Sequence, residues 1–178
     1  MDKLYSEKFK NLVLYILENN DYQDEGIKKL NKILYFIDFY FYREHERSIS
    51  DARYAKAGMG PIVDNYKEIF QQLDNDGVLK QLSENGRIFH KPKGKADKTI
   101  FSSEEIDHIR NILDKYGKLS AAELESISHD QQPWVLTRQA GDIIDPDLAL
   151  LIDDGNAEDI EVTNEQMKKE LVDLANNA

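Results

Sequence analysis

KKLNKILYFIDFYFYR, Lys28 to Arg43, carries six of the chain's seventeen aromatic residues in its segment Tyr35–Tyr42. Ile27, Leu30, Ile33, Leu34, Ile37 and Phe41 recur at helical spacing, and the other aromatics continue the apolar surface around most of the cylinder. A helix that is apolar on nearly every side belongs at the centre of a domain. The run is too short and too charged at its ends to span a bilayer, so a membrane is not an expected partner. Within it, Asp38 lies between Ile37 and Phe39. A buried carboxylate is costly unless paired or hydrogen-bonded, and Arg53 or a Tyr hydroxyl is the expected structural partner. No second carboxylate or His stands three or four residues from Asp38 to make a local acid–base pair.

Outward from this helix, the chain has 178 residues, enough for one full-sized core, and a formal net charge of −11. The charge is uneven: residues 102–178 hold six basic and eighteen acidic groups, a net −12 by themselves. Such a surface repels phosphate backbones and favours basic partners. There are no cysteines, which excludes disulfides, zinc–thiolate sites and cysteine nucleophiles and suits a cytoplasmic location. Met1–Lys10 is charged and lacks the apolar core of a signal peptide.

Taken in order, Tyr5–Glu18 reads as an amphipathic helix with Ser6 as N-cap, and Asp24 as the cap of the central helix. Ser50–Ala57 reads as extended. Gly58-Met59-Gly60-Pro61 is a break, with Pro61 in the first turn of a helix reaching about Asn75 and Gly77 closing it. Val78–Leu82 and Arg87–His90 flank Asn85-Gly86, the strongest hairpin signal in the chain. Lys91–Lys98, with four lysines, reads as a solvated loop. Ser102 and Glu105 form a capping box for a helix bearing Ile106, Ile109, Ile112 and Leu113. Helices follow at Ser120–Ser128 and at Asp130–Arg138 around Trp134, then a short helix or turn at Asp147–Ile152 and a terminal helix at Thr163–Ala175. The expected fold is α+β and predominantly α-helical: a central aromatic-rich helix surrounded by helices, with a small antiparallel hairpin or sheet. Residues 1–150 form a single domain, and 151–178 are an acidic segment and C-terminal helix packing on it or extending from it.

The residue patterns of catalysis are missing from the sequence. The four histidines are scattered without metal-ligand spacing, and there is no phosphate-binding glycine loop, GxSxG or kinase signature. Ser128 precedes His129, but neighbours at a helix end rarely face one another, which argues against a dyad. No enzyme activity, cofactor or metal is expected.

Two stretches carry a resemblance. KLNKILYFIDFYFYREHERSISDARYAKAGMGPIVDNYKEIF spans Lys29–Phe70, and LSAAELESISHDQQPWVLTRQ spans Leu119–Gln139. Together they resemble the Panacea, or SocA-like, antitoxin domain of bacterial and phage toxin–antitoxin pairs. The matching elements are the aromatic helix Lys32–Phe39, the segment Tyr54–Pro61, and Ser128-His129 followed by Trp134, with MGPIVDNY at Met59–Tyr66 the best marker. The resemblance implies an antitoxin that neutralises a cognate protein toxin by direct stoichiometric binding; a protease is a further partner if the chain acts as an adaptor. It places partner contacts at Arg53, Tyr54, Met59, Gly60, Pro61, Asp64 and Tyr66, and makes Asp38, Ser128, His129 and Trp134 motif residues of structural weight. Many relatives carry an N-terminal helix-turn-helix; only about twenty-five residues precede the domain here, which puts direct repression of its own operon in doubt. The alternative function is a winged-helix-like DNA regulator, with the helix Pro61–Asn75 and the following hairpin as helix and wing. That helix sets Lys67 against Asp64, Glu68 and Asp74, so nucleic acid is not the expected partner.

Overall fold

The computed structural model describes residues 3–153. The predicted helix Thr163–Ala175, and most of the 151–178 extension, lie outside them. Helices α1 (Glu7–Glu18) and α2 (Ile27–His45) are followed by short strands β1 (Tyr54–Ala55) and β2 (Ile62–Val63), then α3 (Tyr66–Asn75). The hairpin β3 (Leu79–Glu84) and β4 (Arg87–Pro92) comes next, then α4 (Ser103–Tyr116), α5 (Ala121–His129) and α6 (Gln132–Leu136). Single 3-10 turns occupy Lys98–Ile100 and Pro146–Leu151. The fold is α+β and mostly helical, with two antiparallel strand pairs, β1–β2 and β3–β4.

Helix α2 is the axis of the molecule: every residue from Lys29 to Phe41 is buried. α4, α5, β2, the hairpin and the Pro146–Leu151 turn all pack on it. Its aromatics pack with their neighbours. Phe36 stacks on Tyr116 of α4 with ring centres 4.8 Å apart, and Tyr35 meets the Tyr54 ring edge-on at 5.8 Å. Burying each such side chain contributes about 1.5–3 kcal/mol. Asp24 does not cap α2. Its carboxylate accepts from the Gly26 amide at 2.8 Å and shapes the approach, while Gly26 itself is the N-cap at φ +95. A side chain there would also press on the Ile88 carbonyl of the hairpin, so the position requires glycine.

Two lysines of α2 are buried without a carboxylate. Lys29 donates to the carbonyls of Gln23 and Gly117, and Lys32 to the carbonyl of Met59. Burial holds both ammonium groups below the usual lysine range. Each therefore acts as a staple between α2 and a neighbouring loop.

The local signals outside α2 hold at the level of elements with one exception, although Lys91 and Pro92, read as loop, extend β4 and Lys98 opens a 3-10 turn. Ser6 accepts from the Phe9 amide at 2.9 Å as the α1 cap. Asn85 and Gly86 both take positive φ, as a two-residue hairpin turn of the mirror type requires. Ser102 and Glu105 close the predicted capping box, and Glu105 is buried besides, 1% exposed, receiving Lys8 and Arg47 at 2.7 Å each. Burial works against its charge, but the hydrogen bonds from Lys8 and Arg47 outweigh it and hold the carboxyl below its usual range. The exception is Pro61. It does not open a helix; Ile62–Val63 pairs with Tyr54–Ala55, and α3 starts only at Tyr66, after Asn65 in the left-handed region. Strand pairing of Ile62 and Val63 with β1 is what displaces the helix start by five residues.

Two histidines make stability depend on pH. His90 is buried against Phe70, ring centres 4.8 Å apart, and neither ring nitrogen has a hydrogen-bond partner among the described residues. Burial depresses its pKa; Asp24 and Asp74 oppose this weakly. Burial also depresses His108, against its bond to the Ile37 carbonyl and the charge of Glu44, with His45 and Arg43 adding to the depression. Groups with depressed folded pKa values stabilise above their unfolded value, about 6.5, and lose that contribution as pH falls. The melting temperature should therefore drop between about pH 7 and about pH 5, and His90→Phe should reduce the slope. A flat or rising profile over that range would contradict this assignment.

Candidate partner-binding face

The turn between β1 and β2 is held from below by α2. Asn31 accepts the Val63 amide at 2.8 Å, and Lys32 takes the Met59 carbonyl. Gly60 sits between them at φ +96, where an added Cβ would lie 2.7 Å from the Ser128 hydroxyl and 3.3 Å from the Lys32 ammonium. Only glycine fits, and the Ser128 that crowds it comes from the end of α5.

The second family-like stretch closes over the same turn. Trp134 donates its indole N–H to the Ala57 carbonyl at 3.0 Å and stacks on His129 at 4.0 Å. Lys56 lies 4.3 Å over the Trp134 ring and donates to the Thr137 carbonyl at 2.6 Å. The chain after α6 then runs alongside β1. Ala55 bridges Ile143, the Lys56 amide donates to Asp142 at 2.9 Å, and the Ile144 amide donates to Tyr54 at 2.8 Å. Sequence segments more than seventy residues apart are thus joined into one surface around residues 54–61.

Three of the large apolar side chains exposed among the described residues belong to these joined segments: Met59 at 46%, Val135 at 49% and Ile143 at 45%. Trp134 is half-buried beside them. At the far end of the strand pair Arg53 and Asp64 form an ion pair at 2.7 Å, with the Arg53 side chain 69% exposed. Exposed apolar side chains on joined segments with polar groups beside them make this a candidate interaction surface.

The sequence-selected residues fall into two groups. Arg53, Met59 and, more shielded, Asp64 and Tyr66 reach the surface. Tyr54, Gly60 and Pro61 are buried and hold the turn's shape rather than offering side chains. Asp38 is 1% exposed and takes four donors: the Ile49 and Ser50 amides at 2.9 Å each, the Ser50 hydroxyl, and the Tyr54 hydroxyl at 2.7 Å. Of the two expected partners it is the tyrosine that arrives; Arg53 goes to Asp64 instead. Burial pushes the Asp38 carboxyl above its usual range, against the pull of Ser50, Tyr54 and the two amides. Ser128 donates to the Glu125 carbonyl at 2.9 Å while His129 lies on Trp134, so the two form no dyad. Trp134 is half-buried and bonded to the turn. Lys56, Val135 and Ile143 were not singled out from sequence, since nothing local in their segments marks them.

Among the described residues, no cluster of His, Asp or Glu is placed to hold a metal ion, and no helix is long and apolar enough to cross a membrane. The family model for the SocA-like antitoxin, Panacea domain matches residues 30–135. The chain belongs to the Panacea-domain, SocA-like antitoxin family. No curated protein and no solved structure matches it. The Panacea match begins at Leu30 in α2 and ends at Val135 in α6, and so takes in Lys32, the Met59–Pro61 turn and the Ser128–Trp134 stretch that covers it. Membership supports an antitoxin role.

Proposed function

We propose that this Panacea protein neutralises a cognate protein toxin by stoichiometric binding, without catalytic turnover, through the face built on the β1–β2 turn. The observation that carries this reading is the convergence of both family-like stretches on one turn whose joined segments expose Met59, Val135 and Ile143. Arg53 and Asp64 extend the face along the strand pair. The acidic excess of residues 102–178 steers a basic toxin, so association slows as salt rises.

Co-expression with the product of the adjacent gene tests it. The neighbour alone should arrest growth, and the wild-type chain should restore it. Met59→Glu and Val135→Glu should each lower rescue by about tenfold or more, the loss expected when a charge enters a desolvated contact. Both should keep the wild-type melting curve within about 0.5 kcal/mol, because these side chains are exposed. Arg53→Glu and Asp64→Lys should likewise spare the fold, since exposed ion pairs contribute about 0–1 kcal/mol. Rescue lost only in variants that unfold would remove the face, and one molecule protecting many toxins would remove the stoichiometric mechanism.

A further inference from the structure

The β3–β4 hairpin carries an unneutralised basic face on an acidic chain. Its register sets Lys80 directly opposite Lys91, Leu82 opposite Phe89 and Glu84 opposite Arg87, and side chains alternate between faces. These six therefore share one face, while Leu79 and His90, both buried, point the other way toward the body. Like charges placed opposite one another destabilise a strand pair. Beyond β4 the chain adds Lys93 and Lys95. Among the described residues, Lys80, Arg87, Lys91, Lys93 and Lys95 have no ion-pair or hydrogen-bond partner through their side chains, whereas nearby Lys98 is paired with Glu18.

The two edges of the hairpin differ. The Lys93 amide donates to the Val78 carbonyl, which makes Lys80/Lys91, Leu82/Phe89 and Glu84/Arg87 the hydrogen-bonded pairs of the ladder. Gln81 and Ser83 therefore turn their backbone N–H and C=O groups outward. Both residues are exposed, and these groups meet no partner among the described residues. On β4 the corresponding edge is closed by Pro92, which has no N–H, and by Gly26, packed tightly against the Ile88 carbonyl. The hairpin thus has one open edge, with Lys80 on the edge strand itself and Lys91 one strand in from it.

We propose that the open edge of β3 is a second docking surface, which takes an extended acidic segment of a partner protein by strand addition. Backbone bonds to Gln81 and Ser83 supply affinity, and Lys80, with Lys91 one strand behind it on the same rung, meets an acidic side chain of the added strand. The half-buried Leu82 and Phe89 give an apolar step on the next rung of the same face. A nucleic-acid strand could satisfy the lysines but has no amides for the edge, and α3 beside the hairpin sets Glu68 and Asp74 against it. This surface is separate from the face around Met59, so its test needs no toxin.

The test is fluorescence anisotropy of the full chain with a labelled peptide of alternating Glu and Val, about ten residues long to cover the strand. Binding should weaken as salt rises from about 50 to about 300 mM. Lys80→Glu with Lys91→Glu should weaken it about tenfold or more. Gln81→Pro removes only an outward amide, and should lose binding while circular dichroism stays that of wild type. The same peptide N-methylated on all its internal amides, so that neither edge can pair, should also fail to bind the unaltered protein, and the edge is tested without any variant. An alternating Lys and Val peptide should not bind. The proposal is overturned if the acidic peptide does not bind or if N-methylation leaves its affinity unchanged. It is equally overturned if single-stranded oligothymidylate binds more tightly and loses affinity in the Lys80→Glu, Lys91→Glu variant.

Discussion

Asp38→Ala should cost the protein about 3–5 kcal/mol, the range for removing one partner of a buried charged network. The carboxylate accepts from two amides and two hydroxyls at the start of the segment that becomes β1. Truncation strands all of them around a side chain that is 1% exposed, and each buried group left without a partner costs about 1–3 kcal/mol before relaxation. The loss should be felt beyond the core. Ser50 also receives the Ala52 amide, and its carbonyl takes the Ser6 hydroxyl, so releasing Asp38 loosens the anchor of α1 and of the β1–β2 turn together.

Asp38→Asn separates charge from hydrogen bonding. The amide keeps one acceptor oxygen but turns an N–H2 group toward the Ser50 and Tyr54 hydroxyls. Burial raises the Asp38 pKa, so the charged form is held at some cost that the neutral amide avoids. The expected penalty is accordingly smaller, about 1–3 kcal/mol. Denaturant unfolding of both variants decides the matter: if Asp38→Ala loses less than about 1 kcal/mol, the four-donor arrangement does not anchor the loop.

What the sequence shows and hides here follows from the range of the interactions. α2 is legible because burial on all sides writes itself into consecutive residues, Leu30 to Phe41. The Asn85-Gly86 turn and the Ser102–Glu105 box are legible because backbone conformation and capping are settled within four residues. β1 and β2 are two residues long, too short for alternation to emerge, and so Pro61 reads as a helix start. The Arg53–Asp64 pair follows from the strand register that this misreading hides. The proposed binding face lies further out of reach. Trp134 looks like a core residue until Ala57, seventy-seven positions away, accepts its indole N–H. Lys29 and Lys32 look like the polar shoulder of the aromatic helix, yet both are buried, because backbone carbonyls from distant loops arrive to receive them. Resemblance to the Panacea domain picks out the stretches that the family model matches without saying which residues face outward: Tyr54 and Pro61 carry the motif inward, Met59 outward.

Phe36→Ala should destabilise the fold by about 3–5 kcal/mol. Phe36 is fully buried and stacks on Tyr116 at an interplanar angle of 16°, with the Tyr40 ring 6.0 Å and the Tyr35 ring 5.5 Å away. Two terms add: the transfer free energy of the ring, and the cavity left where neighbours cannot close in. Closure is poor at this site. Tyr116 is tied through its hydroxyl to Tyr40 at 3.1 Å, Tyr40 receives Gln131, and Gln131 in turn holds Tyr35. Rings bonded to one another through their hydroxyls cannot slide into a void without breaking those bonds, so the upper half of the range is expected. Phe36→Leu should cost about 1–2 kcal/mol, since it retains most of the volume and loses the stack, worth about 0.5–1.5 kcal/mol. Urea unfolding monitored by circular dichroism measures both. Equal losses in the two variants would mean that the cavity term is absent and the core around α2 closes freely, which the hydroxyl network of Tyr35, Tyr40 and Tyr116 argues it cannot do.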